Sequence, residues 1–85
     1  MTKKQWLALW LAERDQVIRT QDIERFKAFY KKWKARGIYT LDLPRDEVIE
    51  VSLRKMLYNL KNATAEEKAT AEKWLKDRGL STDLD

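Results

Sequence analysis

Few side chains in this sequence have the chemistry that catalysis requires. The chain contains no His and no Cys, which often serve as general base and nucleophile near neutral pH. Carboxylates remain, and the one suggestive group is Asp42, Asp46 and Glu50, the last two one helical turn apart. A helix start explains Asp46 more simply, and an ion pair with Arg54 explains Glu50. We therefore predict a protein that is not an enzyme, with no metal site, no cofactor and no small-molecule substrate.

Basic residues are concentrated in segment 22–36, which has helical periodicity. They are Arg25, Lys27, Lys31, Lys32, Lys34 and Arg36. Placed on both flanks of an aromatic stripe, they could neutralise phosphates while Tyr30 or Trp33 stacks on bases. Long basic side chains also commonly cover the apolar border of a helix, and the net charge of +4 is modest. We favour solvated flanks and keep nucleic-acid binding as the alternative.

Segment 44–60 reads as one helix with apolar residues on two opposite sides. One side holds Ile49, Leu53, Met56, Leu57 and Leu60. A surface helix needs only one such stripe, so the other side must be covered by helix four, by segment 38–43 or by a partner. Coverage within the chain and partner binding are equally supported. Under the second interpretation, an apolar patch with a charged rim predicts a partner-binding surface. Its residues are Val48, Val51, Lys55 and Tyr58.

Four helices are predicted, and most of their ends carry a local signal. N-terminal signals are capping boxes, capping side chains or a first-turn proline. They are Thr2 with Gln5 for the first helix, Thr20 or Asp22 for the second, Pro44 for the third and Thr64 with Glu67 for the fourth. The first helix should end near Arg19. The second should end at Gly37 and the fourth at Gly79, because glycine readily adopts the left-handed conformation of a helix stop.

A chain of 85 residues usually forms one domain. We predict an all-α fold, a small four-helix bundle with three main helices and a shorter, peripheral C-terminal helix. The helical domain should span 1–80, and 81–85 should be a frayed tail. Helices one to three are expected to form the core, with Trp74 closing one end.

Helix one carries two neighbouring apolar seams. They are Trp6, Trp10 and Val17 in one and Leu7, Leu11 and Ile18 in the other. Glu13 falls within the first seam, and if that seam is covered, the basic flank of helix two is its natural ion-pair partner. A weaker possibility is attachment to a membrane surface through this Trp-rich helix, which would require exposed rings.

These observations favour a small cytoplasmic adaptor or regulator. It would bind a protein partner, or form a homodimer, through helix 44–60. The alternative is a nucleic-acid-binding protein that uses the basic flanks of helix 22–36. The longest apolar run, 6–12, is too short to span a membrane, and the lack of Cys fits a reducing compartment. Such chains often act as accessory factors, for which a bacterial or bacteriophage origin would be unsurprising.

Overall fold

The regular structure of this chain is entirely helical. The computed structural model describes residues 2–84, and in this range it has α1 (Lys3–Thr20), α2 (Ile23–Ala35), α3 (Asp46–Tyr58) and α4 (Ala65–Lys76). No strand occurs among these described residues. The predicted all-α class with four helices is confirmed, and the C-terminal helix α4 is the shortest of them, as expected.

Capping boxes begin α1 and α4 at the predicted residues. The Thr2 hydroxyl accepts from the Gln5 backbone N–H at 3.3 Å, and the Thr2 N–H donates to Gln5 Oε1 at 2.8 Å. The Thr64 hydroxyl and the Glu67 carboxylate make the same exchange at 3.0 and 2.9 Å. Each box satisfies N–H groups that have no acceptor within the helix, which is why these short-range signals locate helix starts.

The junction between α1 and α2 is very short. Thr20 remains in α1, and its hydroxyl donates to a carbonyl oxygen three residues earlier at 2.6 Å. Gln21 turns the chain with a left-handed φ of +53°. Asp22 then begins α2, because its Oδ1 accepts from the backbone N–H groups of Glu24 and Arg25. Of the two candidate caps, Asp22 is therefore the one used.

A glycine in the left-handed conformation follows the end of α2 and another follows the end of α4. Gly37 has φ +86° and Gly79 has φ +70°. The residues that follow, Ile38 and Leu80, donate at 3.0 and 2.9 Å to the carbonyl oxygen five residues earlier. This is the bond of a Schellman motif, and it confirms both predicted stops.

Helix α3 is shorter than the predicted segment 44–60 by two residues at each end. Arg45 has extended backbone, with φ −63° and ψ 156°, so Pro44 lies before the first turn and not within it. At the other end, the side-chain amide of Asn59 donates to the Lys55 carbonyl oxygen at 2.8 Å. Such a local side-chain bond competes with continuation of a helix, which explains why α3 stops before Leu60.

The chain divides into two compact units, the first ending at Leu43 and the second beginning at Pro44. Helix α1 packs on α2 in the first unit, and α3 packs on α4 in the second. The buried apolar side chains are Ile18, Phe26, Phe29 and Trp33 in the first unit and Ile49, Leu53, Leu57, Leu60, Ala71 and Leu75 in the second. Helix α4 has few large apolar residues, yet Ala71 and Leu75 are both fully buried.

Helix α1 buries less surface than its two seams suggest. Ile18 is its buried residue, while Leu7 and Leu11 of the same seam are exposed and Trp6 and Trp10 are half-buried. Helix α2 presents a single apolar stripe, and one stripe covers one side of a neighbouring helix. Part of the apolar surface of α1 therefore stays accessible in the folded chain.

Replacement of a fully buried side chain of α3 should destabilise the protein strongly. Leu53 has no exposed surface, so Leu53→Ala should lower the free energy of unfolding by about 2–5 kcal/mol, through lost burial and the cavity left behind. Leu41 is 75% exposed, and Leu41→Ala should change it by less than about 0.5 kcal/mol. Urea denaturation followed by circular dichroism measures both, and equal effects would contradict the assignment of Leu53 to the core.

Candidate protein-interaction surface

The second side of α3 borders an open groove of about 500 Å³ in the second unit. We call it the α3 groove, and its lining residues are Glu47, Val48, Val51, Ser52, Lys55, Met56 and Leu84. Val48 and Leu84 are the most exposed of its apolar side chains, at 42% and 58%. Val51 is partly exposed. Three of the predicted partner-binding residues, Val48, Val51 and Lys55, therefore lie together around one concave surface.

The α3 groove and the predicted surface do not have the same residues: Glu47, Ser52, Met56 and Leu84 line the groove in addition to the predicted ones, and Tyr58 does not. Tyr58 is partly exposed but does not line the groove. Met56 does line it, although the apolar pattern assigned this residue to the core side. At 100° per residue, Met56 falls at the border between the two sides of the helix, so the pattern alone could not place it. Leu84 could not be predicted as a groove residue, because it is a single apolar residue in a polar C-terminal segment.

The C-terminal segment is tied to the end of α3. The Asn59 side-chain amide donates to the Thr82 carbonyl oxygen at 2.8 Å, in addition to its bond to Lys55. Two residues beyond Thr82, Leu84 lines the α3 groove. This segment therefore contributes apolar surface to the groove while leaving Val48 exposed.

Charges are segregated along α3. Asp46, Glu47 and Glu50 lie in its first half, and Arg54 and Lys55 lie in its second half. Acidic residues in the first turn and a basic residue in the last turn complement the helix dipole, so this order also stabilises the helix itself. The Glu47 side chain is 81% exposed, and its carboxylate lies 3.7 Å from the Arg45 guanidinium. The α3 groove thus has an acidic end and a basic end.

Trp74 is half-buried and contacts two guanidinium groups in the second unit. The Arg54 and Arg78 guanidinium carbons lie 4.9 and 3.8 Å from its ring centroid. Burial lowers the pKa of Arg54 below its usual value, and the nearby charge of Glu50 opposes this shift. Arginine remains protonated under such conditions, so these contacts are cation–π interactions. Arg54 therefore packs on Trp74 and does not line the α3 groove.

Basic residues of α2 have acidic partners within the first unit. Lys32 Nζ lies 3.0 Å from both carboxylate oxygens of Glu13, which confirms the pairing expected for this seam residue. Lys34 forms an ion pair and hydrogen bond with Asp42. Weaker contacts join Lys27 to Glu24 at 3.7 Å and Arg25 to Asp22 at 3.8 Å. Much of the positive charge of this helix is thereby compensated locally, although Lys31 is exposed.

Arg36, the sixth basic residue of segment 22–36, directly follows α2 and packs on aromatic rings. Its guanidinium carbon lies 4.8 Å from the Trp6 ring centroid and 4.9 Å from that of Trp33. The two indoles meet edge to face with centroids 5.7 Å apart. Trp33 is 1% exposed and so cannot stack on a nucleic-acid base. The half-buried Trp6 is likewise occupied within its own unit.

The second proposed stacking residue, Tyr30, is engaged by Tyr39 from the segment after α2. Their rings are stacked, with centroids 4.0 Å apart and an interplanar angle of 18°. The Tyr30 hydroxyl donates to the Leu41 carbonyl oxygen at 2.6 Å, and the Trp10 indole N–H donates to the Tyr39 hydroxyl at 3.1 Å. Burial raises the pKa of Tyr39. This aromatic cluster was not predicted from the sequence, because the contact between Trp10 and Tyr39 joins residues 29 positions apart.

Two other features, a metal-binding cluster and a membrane-spanning helix, are not found among the described residues. Within residues 2–84, no group of three or more acidic side chains is placed to hold a metal ion. Across the same residues, no helix has both the length and the apolar composition needed to cross a bilayer. In comparisons with known proteins, no family model, no curated protein and no solved structure matches this chain.

The Lys34–Asp42 pair should be visible in the titration of Asp42. The hydrogen bond and then the charge of Lys34 lower the Asp42 pKa below its usual value, so Lys34→Gln should raise it back. The stabilisation from this pair is present above the usual pKa of aspartate and is lost as the pH falls through the lowered pKa. Carboxyl-carbon NMR from about pH 2 to about pH 6 measures the change. Lys31→Gln is the matched control and should leave Asp42 unaltered; equal Asp42 pKa values in the Lys34 and Lys31 variants would disprove the pair.

Proposed function

We propose that this chain is a non-catalytic protein-interaction module, an adaptor or regulator that binds a protein through the α3 groove. The observation that carries the proposal is the exposure of Val48 and Leu84, at 42% and 58%, in one groove. Apolar centres flanked by charged residues, here Glu47 and Lys55, are typical of protein interfaces. We place this activity in the cytoplasm, since a chain without Cys gains no disulfide from an oxidising compartment.

Burial on binding would supply a modest driving force. Full burial of a large apolar side chain contributes about 1.5–3 kcal/mol, so covering the exposed parts of Val48 and Leu84 contributes roughly 1 kcal/mol each. Met56 adds a flexible side chain that adapts to different partner shapes. These quantities support a reversible interaction of moderate affinity and not a permanent assembly.

Nucleic-acid binding through α2 has weaker support. Counterion release requires Lys and Arg side chains that can exchange their contacts for phosphates, and Lys32 and Lys34 already pair with Glu13 and Asp42. Base stacking requires an accessible ring, and Trp33 is buried. These contacts favour the interpretation of α2 as a helix with solvated, locally neutralised flanks.

Site-specific photo-crosslinking tests the proposed function. A photo-activatable phenylalanine analogue placed at Val48, in the cells that produce the protein, should form protein adducts upon irradiation because this position lies in the α3 groove. The matched control is the same analogue at Ala69, an exposed position on α4 in the same unit that does not line the groove. Adducts with a second copy or with another protein would both support the proposal. Yields at position 48 no higher than at position 69 would refute it.

A further inference from the structure

The α3 groove is complementary to itself. Glu47 and Lys55 both line it, and they carry opposite charges at opposite ends. They are eight positions apart, which corresponds to about 12 Å along a helix. The short side chains Val51 and Ser52 lie between them. When a surface has its two charges on either side of a small-residue centre, a second copy rotated by 180° matches it charge for charge.

We propose that the occupant of the α3 groove is α3 of a second copy of this chain, packed antiparallel about a two-fold axis near Val51. The proposal rests on the proposed function of the groove and names its partner. In a two-fold interface, residue i of one chain meets residue j of the other, and j meets i. Glu47 of each copy therefore lies beside Lys55 of the other, and Val48 of each copy faces the region of Met56.

Charge order selects this orientation over the parallel one. An antiparallel pair places the acidic half of α3, with Asp46, Glu47 and Glu50, beside the half with Arg54 and Lys55. The two helix dipoles are then also opposed in direction, which is favourable. A parallel pair would place Glu47 beside Glu47 and Lys55 beside Lys55, and such like-charge contacts are unfavourable. With Val51 and Ser52 at the crossing point, the helix axes can approach to about 8–9 Å.

The size of the contact predicts weak association. Stable interfaces cover about 800 Å² on each partner, which is more than one side of a helix of 13 residues provides. Leu84 from the C-terminal segment extends the apolar area beyond α3 itself. The dimer should therefore have a dissociation constant in the micromolar range or weaker and should dissociate further as salt screens its two ion-pair contacts.

Sedimentation equilibrium on charge-reversal variants tests the proposal. The unmodified protein at low salt, from about 5 µM to about 1 mM, should pass from the mass of one chain, 10.2 kDa, towards twice that value. Glu47→Lys and Lys55→Glu each convert both ion-pair contacts into repulsion, so each variant alone should associate about tenfold more weakly.

A mixture of the two variants tests whether the lost association is restored. In an antiparallel pair of one Glu47→Lys chain with one Lys55→Glu chain, both contacts again join opposite charges, so the mixture should recover association. The double variant with both substitutions should also recover it. A mixture no more associated than its components would overturn the antiparallel arrangement, as would single variants that associate like the unmodified protein.

Glu66→Lys is the matched control. Glu66 is the second residue of α4, as Glu47 is the second residue of α3, so both substitutions change net charge and helix-dipole interaction alike. Glu66→Lys should leave association unchanged, and circular dichroism should show equal helix content in all variants. A single-chain mass at every concentration would overturn the second copy as occupant. Crosslinking at Val48 to another protein would then still support the proposed function, whereas absence of crosslinking would remove both.

Discussion

Helix α3 carries apolar side chains on two sides, and one neighbouring helix can cover only one of them. The side with Ile49, Leu53 and Leu57 is buried, and α4 is the helix that packs on α3 within the second unit. The other side has contact from the C-terminal segment through Leu84, which leaves Val48 substantially exposed. This shortage of covering surface is the physical origin of the α3 groove and of every functional proposal that depends on it.

In the first unit, several charged side chains and aromatic rings contact one another. Lys32 and Lys34 of α2 pair with Glu13 and Asp42, and the Arg36 guanidinium lies on the indoles of Trp6 and Trp33. Exposed ion pairs add little stability individually, about 0–1 kcal/mol, but they reduce the positive potential that a phosphate backbone would meet. In the second unit, by contrast, the acidic and basic residues of α3 are separated along the helix. Because the two halves of α3 carry opposite charges, a partner can bind in one orientation in preference to the other.

Helix boundaries were largely predictable because capping is local. The boxes of Thr2 and Thr64 and the stop at Gly79 each involve residues within about five positions, so their spacing is visible in the sequence. Prediction failed where a local signal was ambiguous or a contact was distant. Pro44 was expected in the first turn of α3 and lies before it, and Met56 fell at the border between the two sides.

The sequence alone was sufficient to predict the all-α class, the helix order, the shortage of catalytic side chains and the two-sided apolar pattern of α3. Periodicity and composition are sufficient for these features because each is a property of one segment. Only the tertiary structure decided that Tyr39 stacks on Tyr30, that Asn59 holds Thr82 and that Leu84 joins Val48 at one groove. Such contacts join residues far apart in the chain. Their geometry depends on how whole helices and segments pack, which no local spacing encodes.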